Sequence, residues 1–392
     1  MVLLNPPTKH FEFMGPHGTF LAIVGLPLVT FALYFCCDEN GCPSSDLFNL
    51  NFKSLFSAQW FTLPAMYAFL SWFAFQLILY LGLPGAWAQG TTLRTGKHLS
   101  YKINAFKSLL ATLATLGGIV YTYDLIPLLW IADHYLCLCT AAFGFSTLFA
   151  LYLYLYSFRS NTVLLAEGGN SGYPIYDFWM GRELNPRWTQ FVDWKYFCEL
   201  RPGLIGWTIL NLSLAAKQYH ALGYLTSSML LVIVFQGYYV VDALWNERAI
   251  LTTMDITTDG FGFMLVFGDL VWVPFTYTLQ GKYLKKNFYK PARYLTLFPQ
   301  DLSPGFIAFI LGLKLLGFYI FRGANGEKNA FRTDPSSPSV AHLKYIKTAS
   351  GSKLLISGWW GSARHINYFG IISLLTNRRL AHGIGLVSSL WI

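Results

Sequence analysis

Five aspartates stand inside or beside strongly apolar stretches of this chain: Asp124, Asp242, Asp255, Asp259 and Asp269. A charge held at the depth of a bilayer is costly, so an acid kept there is a functional candidate, either pairing a cation or taking and giving a proton. A carboxylate at a helix end would explain any one of them singly. The grouping of Asp242, Glu247, Asp255, Asp259 and Asp269 around two apolar runs is harder to explain in that way. Tyr238 and Tyr239 precede the group and add phenolic donors to the same region. Farther on, Lys328 and Arg332 are one helical turn apart, with Lys353 and Arg364 beyond them. Paired cations suit a phosphate, and they equally suit the cytoplasmic ends of membrane helices.

The stretch Gly168-Gly169-Asn170-Ser171-Gly172-Tyr173-Pro174, followed by Asp177 and Gly181-Arg182-Glu183-Leu184-Asn185-Pro186-Arg187, is rich in turn formers. Its glycine spacing is not that of a dinucleotide fingerprint, and no strand and helix flank it. Composition predicts a structured loop with a helix stop at Asn185-Pro186.

The elements that must position these groups are membrane spans. Of 392 residues, 54% are hydrophobic, 18% aromatic and only 12% charged, about half the charged share of a soluble chain. That excludes a large soluble enzyme and a disordered chain, and six Cys in 392 residues exclude a secreted disulfide scaffold. Spans of about 20 apolar residues are predicted over 19–37, 60–81, 106–132, 135–158, 204–219, 224–245, 261–279 and 304–321, and the segment from Leu354 begins like another. The expectation is an all-α polytopic bundle of transmembrane helices, with eight to nine spans in the chain. No basic leader with a small-residue cleavage site precedes a span, so the first reads as its own signal anchor.

Lys and Arg are concentrated in the second, fourth and eighth connectors, which places these and the N-terminus in the cytoplasm. The net charge of +9 is therefore a topology signal rather than a nucleic-acid footprint, and no nucleic-acid partner is expected. The seventh connector, with Lys282, Lys285, Lys286, Lys290 and Arg293, breaks the pattern: either the segment before it is re-entrant or the span count there is off by one. Gly117-Gly118 and Gly268 within spans suit helices that pack closely or line a cavity. Cys36, Cys37 and Cys42 fall near the lumenal side, where a disulfide is permitted, and the Cys and His spacings fit no metal site.

Three blocks resemble the sterol reductase family that includes the C14, C7 and C24(28) reductases and the lamin B receptor. They are Gly168 through Arg187; Leu251-Thr252-Thr253-Met254-Asp255 through Asp259-Gly260-Phe261-Gly262-Phe263-Met264, Gly268-Asp269 and Thr278-Leu279-Gln280; and Leu354 through Gly361 with Arg364-His365-Ile366-Asn367-Tyr368. With Pro16-His17-Gly18 they cover most of the chain up to Gly370. The second block is most similar to the C14 reductase version.

The resemblance implies a fold of about ten spans in the endoplasmic reticulum membrane and reduction of the C14=C15 bond of 8,14-diene sterols with NADPH. It implies that Lys328 and Arg332 hold the cofactor's phosphates and that Leu355, Trp360, Asn367 and Tyr368 line the nucleotide. The partners implied are a sterol substrate and the lipid bilayer. Reducing an alkene that no carbonyl activates requires protonation first, and for the acid the expectation is Tyr239 or Asp242. After Gly370 the sequence departs from the family's pattern, so residues 1–370 are read as the reductase-like domain and 371–392 as an atypical segment. That departure leaves open a non-catalytic, sterol-binding or scaffolding product of the same fold.

Overall fold

A computed structural model describes residues 4–36, 58–160, 162–281, 302–347, 353–363 and 366. Helix α1 (Gly15–Cys36) is followed by α2 (Leu63–Gly82), which the Thr62 side chain caps by accepting from the Ala65 N–H at 3.3 Å. Pro64 in its first turn needs no donor there. A hairpin of β1 (Ala86–Gln89) and β2 (Ser100–Ile103) leads into α3 (Ala105–Tyr123) and α4 (Ile126–Asp133). The continuous span predicted over 106–132 is thus two helices. They part at Asp124, whose positive φ of 56° cannot continue a helix.

Helix α5 (Tyr135–Tyr156) is the most enclosed of the early spans, with Tyr135, Leu136, Ala142, Ala150 and Leu153 all buried. The loop after it holds α6 (Pro174–Met180) and a two-residue ribbon of β3 (Arg187–Trp188) and β4 (Val192–Asp193). Helix α7 (Trp194–Cys198) runs through a π-helical turn, Glu199–Gly203, into α8 (Leu204–Leu222). Next come α9 (Ser227–Trp245), a 3-10 turn at Glu247–Thr252, α10 (Met254–Thr257) and α11 (Phe263–Phe267). The last continues as a second π-helical segment, Gly268–Thr276. Helix α12 (Pro304–Thr333), capped by Ser303, is followed by β5 (Tyr345–Lys347), β6 (Lys353–Leu355) and the single turn α13 (Trp359–Ser362).

Seven helices among the described residues are long and apolar enough to cross a membrane. The helix at 204–222 is not among them, because its inner face carries Asn211, Ser213 and Gln218. Helix α12 runs 30 residues, twelve beyond its predicted end at Phe321; no proline interrupts Arg322 to Thr333, and the helix tolerates Gly323 and Gly326. The expected helix stop at Asn185-Pro186 falls instead at Gly181, whose φ of 84° is open to glycine. The chain divides into two compact units, residues 1–225 with 229–292, and 226–228 with 293–392.

A Cβ built at Gly117, Gly118 or Gly268 meets nothing within 4 Å, so of the two roles expected for span glycines these three do not serve close packing. Gly181, Gly260 and Gly262 do: a Cβ at any of them would overlap the backbone of the facing segment, and the Phe261 N–H donates to the Glu183 carbonyl at 3.3 Å. The first two sequence blocks thus cross backbone to backbone. At the start of the chain, residues 5–12 form a strap over the first block. Asn5 bonds Val163 and Leu165, Thr8 bonds Glu167 and Asn170, and the Glu12 N–H donates to the Tyr176 hydroxyl. The expectations for Cys37, Cys42, the connector from Lys282 to Arg293, and residues 371–392 lie outside the described residues.

Candidate functional site

In the second unit, the last turns of α12 carry Lys328 and Arg332 at i and i+4. The Lys328 ammonium lies 4.7 Å from the Trp360 ring centroid, a cation–π distance. Two bonds hold the tryptophan turn against the helix. The Trp360 indole N–H donates to the Ala324 carbonyl at 2.9 Å, and the Trp359 backbone N–H donates to the Glu327 carboxylate at 3.0 Å. Gly358, at φ 63°, and Gly323 leave room for this approach, because a Cβ would strike Glu327 at the first and the Trp359 indole at the second. Leu355 packs on Phe331, Val340 and Leu343 beside the same helix end. Among the described residues neither Lys328 nor Arg332 has a carboxylate within ion-pairing distance. Two cations one turn apart, neither ion-paired, beside an indole held in place, have the chemistry that suits a phosphate-bearing anion. Asn367 and Tyr368 lie outside the described residues.

In the first unit, the five acids grouped by sequence separate into three environments. Glu247 is buried and forms an ion pair with the equally buried Arg201 at 2.8 Å. Its carboxylate also accepts from the Ala105 N–H at 2.7 Å, at the start of α3, and from the Tyr196 hydroxyl. Arg201 in addition donates to Asn104 at 2.7 Å and lies over the Tyr80 ring. This is a structural tie between connectors. Asp242 accepts from the Asn246 side chain at 3.2 Å, one turn farther along the chain.

Asp255, Asp259 and Asp269 gather around Lys195 and Glu199, two residues that sequence reading passed over. The Lys195 ammonium, almost fully buried, donates to the Asp259 carbonyl at 2.6 Å and is pushed down to about 8 by burial, against the pull of Asp193, Asp259 and Glu199. Glu199 is pushed up to about 8, first by burial and then by the charge of Asp255, with Lys195 opposing. Asp259 is raised for the same two reasons in the same order. The two π-helical turns meet here, with Gly203 set directly against the Asp269 carbonyl. The unusual residue Lys195 between Asp193 and Glu199 was the available signal, hidden because 159–201 reads as one loop.

Tyr239 keeps half of its surface exposed, while Trp207, packed against it at 5.7 Å between ring centroids, is buried.

A helical, multi-pass membrane protein whose C-terminal unit holds a tryptophan turn against a cationic helix end is the class that fold and site define. The chain matches the ergosterol biosynthesis ERG4/ERG24 family over residues 7–387 and belongs to that family. It is 43% identical over 375 residues to a Delta(14)-sterol reductase of Ascobolus immersus, covering 92% of this chain and 84% of that one. It is 45% identical over 362 residues to the Delta(14)-sterol reductase erg24 of Schizosaccharomyces pombe, covering 92% and 82%. To the Delta(14)-sterol reductase LBR of Gallus gallus it is 45% identical over 369 residues, covering 93% of this chain and 55% of the relative.

Proposed function

We propose that this protein reduces the C14=C15 double bond of 8,14-diene sterols in the endoplasmic reticulum membrane, with NADPH as reductant. The named activity of its relatives supports the reaction, and the acid-free pair Lys328 and Arg332 beside Trp360 is the observation that carries the cofactor reading. These two cations fit the phosphates of NADPH, and Trp360 and Leu355 fit one side of a flat nucleotide, with Asn367 and Tyr368 following in the same motif. NADPH when bound supplies a hydride.

The chain's own contribution is the proton. Addition of a proton at C15 moves the π electrons to leave a tertiary cation at C14, which the hydride then quenches. Of the two acids expected, Tyr239 is taken as the donor, because its ring is half exposed and lies against the buried Trp207. A phenol at the edge of an aromatic surface both donates and tolerates the developing positive charge.

The test is the sterol profile of cells lacking C14 reductase, before and after expression of this chain. Disappearance of the 8,14-diene is the expected result. Persistence of the diene, with the protein present in the membrane, would overturn the assignment for this polypeptide.

A further inference from the structure

A single carboxamide buried between three apolar segments organises the surroundings of Tyr239. Gln236, on α9, uses its full hydrogen-bonding capacity. Its Oε1 accepts from the Trp207 indole N–H at 2.7 Å and from Asn211 Nδ2 at 2.6 Å, while its Nε2 donates to the Tyr277 carbonyl at 3.2 Å and to Gln280 Oε1 at 2.8 Å. An indole N–H can only donate, so the amide has one orientation that satisfies all four partners. A polar group costly to bury at this depth, yet fully satisfied, rigidifies what it holds.

What it holds is Trp207. The indole is 1% exposed, and its ring plane is set by the bond to Gln236. It packs against Tyr277 at 5.1 Å and against Tyr239 at 5.7 Å between centroids. Tyr239 lies three residues after Gln236 on the same helix, 53% exposed, backed by the immobile indole on one side. We infer that Gln236 and Trp207 are positioning residues for Tyr239: the amide fixes the indole, and the indole fixes the phenol from which the sterol is protonated. This rests on the reading of Tyr239 as the proton source.

The experiment compares Gln236→Leu, Gln236→Glu, Trp207→Phe and Tyr239→Phe in purified, detergent-solubilised protein. Leucine removes the hub, glutamate keeps the acceptor toward Trp207, and phenylalanine keeps a ring at 207 while severing the bond. The expected result is a fall in kcat of about 10- to 100-fold for Gln236→Leu and Trp207→Phe, with KM for NADPH unchanged. The solvent deuterium isotope effect on kcat rises in both, as proton donation becomes slower, and Gln236→Glu recovers part of the rate. A role confined to folding would lower the yield of active protein and leave the isotope effect where it was. If Gln236→Leu does not fold, Trp207→Phe still decides the matter. Tyr239→Phe at full activity sinks the proton-donor reading itself. Tyr239→Phe inactive, with Trp207→Phe at wild-type kcat and isotope effect, overturns the positioning role alone.

Discussion

Lys328 lies over the face of Trp360, 4.7 Å from its centroid, while Trp360 is tied by its own N–H to Ala324 one turn earlier on the helix that carries the lysine. The cation and the indole are therefore oriented by one another and by α12. Replacing Lys328 with Ala is expected to raise KM for NADPH by about 10- to 100-fold, the loss of one charge-assisted contact, with a smaller change in kcat. Trp360→Leu is expected to raise it less, and steady-state kinetics at saturating sterol separates the two.

Arg201 and Glu247 are both wholly buried, and each leans on the other. Removing one partner alone strands a charge. Glu247→Leu or Arg201→Met is expected to cost about 3–5 kcal/mol of stability, seen as a large fall in thermal midpoint in detergent. The double replacement is expected to regain much of that loss, because it removes both charges together.

The pH dependence of stability follows from the raised carboxyls, with Asp259 acting in the same direction as Glu199. The Glu199 carboxyl is pushed up to about 8 in the folded protein from an ordinary value near 4.3. The folded state then holds more protons than the unfolded one between these limits, so this contribution is complete below the lower value and is lost as pH rises through the upper. Lys195, pushed down to about 8, acts oppositely and only above that point. Thermal midpoints are therefore expected to fall from pH 6 to pH 8 in the wild type. Glu199→Gln is expected to flatten that slope, and an unchanged slope would show that Glu199 ionises normally.

The glycine crossing can be tested by contrast. Gly181→Ala has no room and a φ of 84°, and the strained backbone alone costs about 1–3 kcal/mol. It is expected to abolish accumulation of folded protein, as is Gly262→Ala. Gly117→Ala and Gly268→Ala, which meet open space, are expected to express like the wild type.

The spans are legible because a run of about 20 apolar residues has few other uses. Helix α12 outruns its predicted end because its last turns become polar, and hydropathy reports the bilayer rather than the helix. The break at Asp124 escapes sequence reading because a single left-handed residue leaves no trace in composition. Lys328 and Trp360 come together through motif resemblance, and sequence spacing alone could not join a helix to a turn 32 residues later. The acid cluster holds only in part. Glu247 lies next to Asp242 and Asp255 along the chain, yet its partner Arg201 comes from a connector 46 residues earlier. Gln236 goes unnoticed since an amide carries no formal charge to draw attention inside an apolar run.

The strap of residues 5–12 bonds to groups 158 to 165 positions later in the chain. During synthesis at roughly 5–20 residues per second, those partners emerge on the order of 10–30 seconds after the strap itself. Helix α1 is therefore made while the segment leading into it still lacks these partners. The clasp closes afterwards, fastening residues 5–12 only once residues 163–176 exist.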